Sequence, residues 1–299
     1  MKIIIAGGTG FLGENLEKYF TEKGNQVYIL SRNPKRHNEI CWNAKTTGKW
    51  VDILENADVL INLTGKSVDC RYHEKNKQEI YSSRIDSTQI LQEAVNRCLH
   101  KPRIWLNASS ATIYVHSEKH LNTEANGIIG DDFSMNICKS WEEAFFTTKH
   151  SEVRKVALRT SIVFGNNGGA LPKLKMITKI GLGGKQGRGN QMVSWIHIDD
   201  FCKAVEWIIN NDHISGAINI TAPGPVTNET LMMTLRKKLQ IPFGLNARVW
   251  QLEIASLFLN TETELLLKSR HVYPEKLLQS GFLFSYPDLE SAMENLLKS

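Results

Sequence analysis

Apolar and polar positions change period several times along the chain. Lys2–Ala6 is a short apolar run rich in β-branched residues, which predicts a buried strand. After the turn GGTGFLG, Leu12, Leu16, Tyr19 and Phe20 recur at helical spacing and share one face, and Gly24 closes that helix. QVYILSR is extended again. Strand, glycine turn, helix and strand follow one another within about thirty residues, which is a βαβ unit.

The alternation continues. ADVLINLTG, IWLNASSATIY and VRKVALRTSIVFG each predict one further strand. DDFSMNICKSWEEAFF predicts a helix capped by Asp131 or Asp132, with Phe133, Ile137, Trp141 and Phe145 as its apolar stripe and Ser134, Cys138 and Glu142 as the next row. SWIHIDDFCKAVEWIIN predicts a strand edge, a cap at Asp199 or Asp200, and a helix with Phe201, Val205, Ile208 and Ile209 inward. AINITAP is a returning strand. From Gly224 onward PVTNETLMMTLRKKL predicts a capped helix and VWQLEIASLFLNTETELLLKS one or two more. SGFLFSYPDLESAMENLL adds a short extended piece and a terminal helix. The implied class is α/β, a Rossmann-type doubly wound parallel sheet with a small, mostly helical C-terminal domain. Residues 1–167 and 190–223 form the dinucleotide-binding domain, and 168–189 with 224–299 the smaller substrate-side domain.

The chain has 299 residues, 41% hydrophobic and 22% charged, enough for a large core. Its formal net charge of +5 is spread along the sequence without a basic run, so a nucleic-acid partner is not expected. No apolar window approaches the length of a membrane span, and the apolar opening is too short for a signal peptide. The cysteines, Cys41, Cys70, Cys98, Cys138 and Cys202, are odd in number and lack metal-ligand spacing, which fits reduced thiols in the cytoplasm and no metal site. The expected partner is a small molecule, and a homo-oligomer is compatible with everything above.

Gly7, Gly10 and Gly13 carry the first candidate chemistry. Gly7 permits the tight turn, Gly10 leaves room for a pyrophosphate, and Gly13 lets the helix approach the strand. Thr9, Phe11 and Leu12 complete a turn whose amides face an anion at the positive end of the helix dipole. An acidic residue closing the second strand would hold the ribose 2′-hydroxyl of NAD. Ser31 and Arg32 stand there instead, and an arginine suits the 2′-phosphate of NADP(H). Leu63, Thr64 and Gly65 are expected near the cofactor at the carboxyl edge of the sheet. The basic, glycine-rich stretch 165–191 is expected around the substrate, with Arg188 or Lys185 available to an anion or simply solvated. His197 reads as a structural histidine.

GGTGFLG, ASSATIY, LRTSIVFG and WIHIDD together resemble the extended short-chain dehydrogenase/reductases, the class of sugar-nucleotide epimerases and dehydratases. NLTGKSV, QEIYSSRIDST, CKSWEEA, GLGGKQGRG and the tail KSRHVYPEKLLQSGFLFSYPDLESAM resemble one branch more closely, an atypical epimerase-like family with its own short C-terminal domain. IPFGLNARVW departs from the proline-rich link of that branch. The resemblance implies that Ser31 and Arg32 hold the NADP phosphate and that Leu63 and Thr64 form a contact strand. It also implies that Glu79 and Arg84 reach the dinucleotide from a neighbouring helix and that Val163 lies near the nicotinamide.

Members of this class usually join a Ser or Thr to a Tyr-x-x-x-Lys pair, in which the lysine lowers the phenol's pKa and the phenol moves the proton. Ser110 matches the serine. With Glu142 matched to the glutamate four residues beyond the lysine, Cys138 stands at the lysine and Ser134 at the tyrosine. Neither residue can do the same work, because a serine hydroxyl is a weaker acid than a phenol and a thiol carries no positive charge. Lys139 points about 100° away round the helix. Three expectations remain. One is an NADP-dependent oxidoreductase or nucleoside-diphosphate-sugar epimerase-like enzyme with Ser110 orienting a carbonyl or hydroxyl substrate and Tyr114 as proton donor. The others are a non-catalytic NADP(H)-responsive binding or regulatory protein, and a scaffold that NADP(H) stabilises.

Overall fold

The computed structural model describes residues 1–147, 152–253 and 267–298. Its strands are β1 (Lys2–Ala6), β2 (Gln26–Ser31), β3 (Glu39–Cys41), β4 (Val59–Asn62), β5 (Ile104–Ser110), β6 (Arg154–Thr160), β7 (Ile162–Gly165), β8 (Gly168–Gly169), β9 (Met192–Val193), β10 (Trp195–His197), β11 (Gly216–Ile220) and β12 (Val226–Thr227). The helices used below are α1 (Phe11–Glu22), α2 (Glu74–Arg97), α3 (Phe133–Thr147), α4 (Leu171–Ile177), α5 (Ile198–Asn210), α6 (Asn228–Lys238), α7 (Glu275–Gln279) and α8 (Leu289–Leu297).

Seven strands form one parallel sheet in the order β3-β2-β1-β4-β5-β6-β11. Strand order reverses between β1 and β4, which flank the chain's first turn, and such a switch point leaves a crevice at the carboxyl edge. Both faces are covered, which is why β1 is apolar at successive positions. Ile3 and Ile5 pack with Leu16, Phe20, Phe201, Val205 and Ile208 from α1 and α5. Ile4 and Ala6 face the other way, towards Leu91, Ala94 and Val95 of α2, with Trp105 and Phe145.

Two local readings change. The stretch expected as one strand over 153–165 is two. The amide and hydroxyl of Ser161 both donate to the Ile220 carbonyl, at 3.1 and 3.2 Å, and the chain turns out of the main sheet. β7 then pairs in parallel with β10. The cap of α5 is neither Asp199 nor Asp200. The amide of Asp199 donates to Nδ1 of His197 at 3.0 Å, while Nε2 meets Asn295 at 3.1 Å and the ring stacks on Tyr286 at 3.9 Å. Asp200, fully buried, accepts from the amides of Ser285 and Tyr286 at 2.9 and 2.8 Å and so fastens the tail to α5. For α3, Asp132 is the cap, accepting from the Met135 amide at 2.9 Å.

α4, α6 and α8 share a separate core through Leu171, Leu174, Leu231, Leu235, Met293 and Leu296, seated on Trp195 and Phe164. The capped helix expected after Gly224 is α6, with Thr227 accepting from the Thr230 amide at 3.1 Å. Most of the helical stretch expected over 249–269 lies outside the described residues. No helix among the described residues is long and apolar enough to cross a membrane.

Candidate functional site

A cavity of about 790 Å³ opens at the switch point. Gly7, Thr9 and Gly10 floor it, with Ser31 and Arg32 at one end and Leu63, Thr64 and Gly65 opposite. The three glycines differ in what they do. Gly7 has φ +72°, and a Cβ there would lie 2.9 Å from the backbone of Thr64. A Cβ on Gly13 would lie 2.4 Å from Cα and O of Gly8, so α1 can sit this close only without a side chain. A Cβ on Gly10 would meet nothing within 4 Å. Gly10 therefore leaves space at the cavity floor that the fold itself does not fill.

Thr64 is fixed by neighbours. Its amide donates to Asn62 at 3.1 Å and its hydroxyl to Ser87 at 2.8 Å. Asn62, fully buried, donates to Asn107 at 2.7 Å and to Thr88 at 3.2 Å, and Trp141 donates to Thr88 at 3.1 Å. This polar chain ties the end of β4 and the middle of β5 to α2 and α3. On the far wall Glu79, Ser82, Ser83 and Asp86 form one polar face of α2. Glu79 pairs with Lys66, and that ammonium holds its carboxyl below the usual range. Arg32 has no carboxylate partner among the described residues, and Lys45 lines the same cavity.

α3 presents Ser134 and Cys138 inward, both buried. Burial pushes the Cys138 thiol up to about 12. Glu142 accepts from Arg159 at 2.8 and 2.7 Å and from Ser109 at 2.6 Å.

Residues 3–221 match the model of the NAD dependent epimerase/dehydratase family. The chain belongs to that family. Residues 250–296 match a domain of unknown function, DUF1731. Epimerase family protein YfhF of Bacillus subtilis is 34% identical over 302 residues, covering 99% of this chain and 98% of its own. The crystal structure of human epimerase family protein SDR39U1 with NADPH superposes with a TM-score of 0.89 at 27% identity over the whole of both chains. A nucleoside-diphosphate sugar epimerase from Corynebacterium glutamicum gives a TM-score of 0.81 at 28% identity, covering 99% of this chain and 58% of that one.

Of the residues expected to hold a dinucleotide, Gly7, Thr9, Gly10, Ser31, Arg32, Leu63, Thr64, Gly65 and Glu79 line the cavity. Gly13 acts by close packing. Phe11 covers β7 and β8, where a Cβ on Gly165 or Gly168 would lie 2.6 Å from its ring, and Leu12 packs on the main core. The Val163 side chain is buried in that core. Arg84 is not among the lining residues; its guanidinium lies over the Trp141 ring at 5.0 Å and, beside Gly65, donates to the Lys66 carbonyl at 3.1 Å. Ser110 ends β5 and accepts from the Thr112 amide at 3.2 Å.

Tyr114 is placed differently from its expected role as proton donor. Its side chain is 1% exposed, its hydroxyl donates to Asn219 at 2.9 Å, and Arg159 donates to it at 2.8 Å. Burial raises its phenol above the ordinary tyrosine value, so proton release is disfavoured. Lys185 pairs with Glu229, and Arg188 is exposed.

Trp42, Asn43, Ala44 and Lys45 also line the cavity and were not expected. Asn43 accepts from the amides of Lys45 and Thr46, both at 2.9 Å, and Ala44 is held at φ 58°. Nothing in the sequence pattern marks an alanine for that conformation. The polar face of α2 was detectable, since residues 79, 82, 83 and 86 fall at helical spacing.

Proposed function

We propose that this protein is an NADP(H)-binding oxidoreductase or epimerase-like enzyme acting on a small molecule at a carbon that bears oxygen. The observation that carries the reading is Arg32, which stands at the ribose end of the glycine-turn cavity without a carboxylate partner among the described residues. A guanidinium there matches a 2′-phosphate, and no carboxylate at the end of β2 opposes one. The open space over Gly10 fits a pyrophosphate, which the free amides at the start of α1 would hold. Lys45 adds a second cation to the lining of the same cavity. The relative solved with NADPH supports the same cofactor. Bound NADP(H) supplies or accepts a hydride at the substrate carbon. The part of this chain is to hold the dinucleotide across the sheet edge, and Ser110, at the end of β5, orients the substrate oxygen. A nucleoside-diphosphate sugar is the substrate class to test first, given the relative so named. Free cysteines, three of them buried, support a reducing compartment such as the cytoplasm.

The test mixes the protein and NADPH with a panel of nucleoside-diphosphate sugars and small carbonyl compounds and follows nicotinamide absorbance, with sugar epimers separated by chromatography. Conversion of one compound supports the reading, and failure to bind NADPH contradicts it. A second reading, a non-catalytic NADP(H)-responsive protein, is favoured by one observation: Ser134 and a neutral Cys138 occupy the helix positions where a phenol and a lysine would act. It predicts tight NADPH binding without turnover of any compound.

A further inference from the structure

α4 buries Leu171 and Leu174 in the core it shares with α6 and α8, and runs on into a wider helical turn, Thr178–Leu182. Its outer side is apolar too. Met176 and Ile180, one turn apart, are 55% and 66% exposed, and Leu182 follows at 47%. The loop after α6 lies against this turn. The Leu245 amide donates to the Gly181 carbonyl at 2.8 Å, and the Gly184 amide donates to the Leu245 carbonyl at 3.1 Å. A Cβ on Gly181 would lie 2.9 Å from the Phe243 ring. Phe243 and Leu245 are themselves 62% and 63% exposed. Large apolar side chains scattered singly over a surface need no explanation, but a group drawn together from two elements marks a contact with something apolar.

The charge around this group has one sign. Residues 153–198 and 230–252, which supply both elements, contain no Asp or Glu. The cations are spread along the sequence, and the fold gathers them. Lys175 and Lys179 form the row beside Met176 and Ile180. Arg236 reaches the loop from α6, where a Cβ on Gly244 would lie 2.7 Å from its Nη1. Arg248 follows Leu245 in the same loop. Lys173, Lys185, Lys237 and Lys238 each have a carboxylate partner, Asp69, Glu229, Glu290 and Glu294 in turn. Lys175, Lys179, Arg236 and Arg248 have none among the described residues.

These facts choose among occupants. A second copy docking by two-fold symmetry would set the same unpaired cations against one another. A peptide helix needs a groove with half-buried walls, whereas Ile180, Phe243 and Leu245 project with more of their surface free than covered. A nucleic acid would meet the cations and leave the apolar side chains facing phosphate and water. An anionic bilayer matches both features. Projecting apolar tips enter the boundary between headgroups and acyl chains, and ammonium and guanidinium groups meet lipid phosphates.

We propose that this face seats the protein on the surface of an anionic lipid bilayer, with Met176, Ile180, Phe243 and Leu245 entering the boundary and Lys175, Lys179, Arg236 and Arg248 on the headgroups. The chain lies on the bilayer by this face and does not cross it there, since α4 is far shorter than a membrane span. The inference stands apart from the NADP(H) reading, because none of these residues lines the glycine-turn cavity.

Vesicle sedimentation with the full chain tests this, using phosphatidylcholine alone and phosphatidylcholine with about a quarter phosphatidylglycerol. The protein is expected to sediment with the anionic vesicles and to stay in solution with the neutral ones. Binding should weaken as salt rises from about 0.05 to about 0.5 M. Phe243→Ser with Leu245→Ser, and separately Lys175→Gln with Lys179→Gln, should each weaken it about tenfold. Circular dichroism checks that both double variants fold. No binding to anionic vesicles, equal binding to the two compositions, or binding that either pair of substitutions leaves unchanged overturns the proposal. Capture of polyglutamate or of a DNA duplex without vesicle binding overturns it in favour of an acidic polymer. Sedimentation velocity covers the remaining occupant. A wild-type dimer that becomes monomeric in Phe243→Ser with Leu245→Ser would make this face a subunit interface, and overturns the proposal as well.

Discussion

Arg159 and Glu142 meet between β6 and α3 as a two-pronged ion pair, Nε to Oε1 at 2.8 Å and Nη2 to Oε2 at 2.7 Å. Their side chains are only 12% and 11% exposed. The pair anchors Tyr114 through the third arm of Arg159 and Ser109 through Glu142. Removing one partner strands the other. Glu142→Ala is expected to lower unfolding stability by about 3–5 kcal/mol, because a mostly buried guanidinium is left uncompensated. Urea unfolding checks this, and an unchanged midpoint and slope would contradict it.

Gly10 and Gly13 should separate fold from binding. Gly13→Ala drives a methyl into the Gly8 backbone and is expected to cost about 1–3 kcal/mol, visible as a lower melting temperature without nucleotide. Gly10→Ala meets no protein atom, so melting should stay within about 0.5 kcal/mol of wild type. Its methyl takes space at the cavity floor, and NADPH affinity should fall. Equal effects of both substitutions on melting would undo this division of roles.

The thiols should react in the order of their exposure. Cys41 is exposed and Cys70 partly so. Burial pushes the thiols of Cys138 and Cys202 up to about 12. An aromatic disulfide reagent at about pH 8 should modify Cys41 first and Cys70 more slowly, and reach Cys138 only after unfolding. Rapid modification of Cys138 in the native protein would reopen a nucleophilic role for it.

Lys155 gives a pH signature. Its ammonium lies over Trp105 at 5.5 Å and Phe145 at 5.3 Å, and burial lowers it from 10.5 to about 8. Between about 8 and 10.5 the unfolded chain then binds more protons at this residue than the folded one, so its contribution raises stability as pH rises through that window. Below that window the charged, desolvated amine is a constant penalty. Lys155→Met should therefore be more stable than wild type at neutral pH, with the difference shrinking by about pH 10. Unfolding midpoints across that range decide it, and a pH-independent difference would rule out a lowered pKa.

Much of the fold was legible because local pattern and tertiary environment agree. The apolar run Lys2–Ala6 became a buried strand, the period from Leu12 to Phe20 became α1, and GxxGxxG sits between them as the spacing requires. Other features depended on contacts far along the chain. The break at Ser161 exists because Ile220 offers a carbonyl there. His197 caps α5 because Asn295 and Tyr286, from the tail, fix its ring. Tyr114 sits in the right segment for a proton donor, yet Asn219 and Arg159 hold its phenol inside the protein. The roll of cavity residues at 42–45 had no pattern to reveal it, since it depends on an alanine at positive φ. The glycine-turn end of the cavity was thus more readable than the surroundings of α3, because a turn is built from adjacent residues and the contacts of Tyr114 and Glu142 are assembled from several elements.

The most direct measurement is a calorimetric titration of wild type and Arg32→Ala with NADPH and with NADH. The account predicts that wild type prefers NADPH and that Arg32→Ala loses the preference by weakening NADPH alone, because the guanidinium meets only the 2′-phosphate. Equal affinity of wild type for the two nucleotides, or a preference that survives Arg32→Ala, would contradict it.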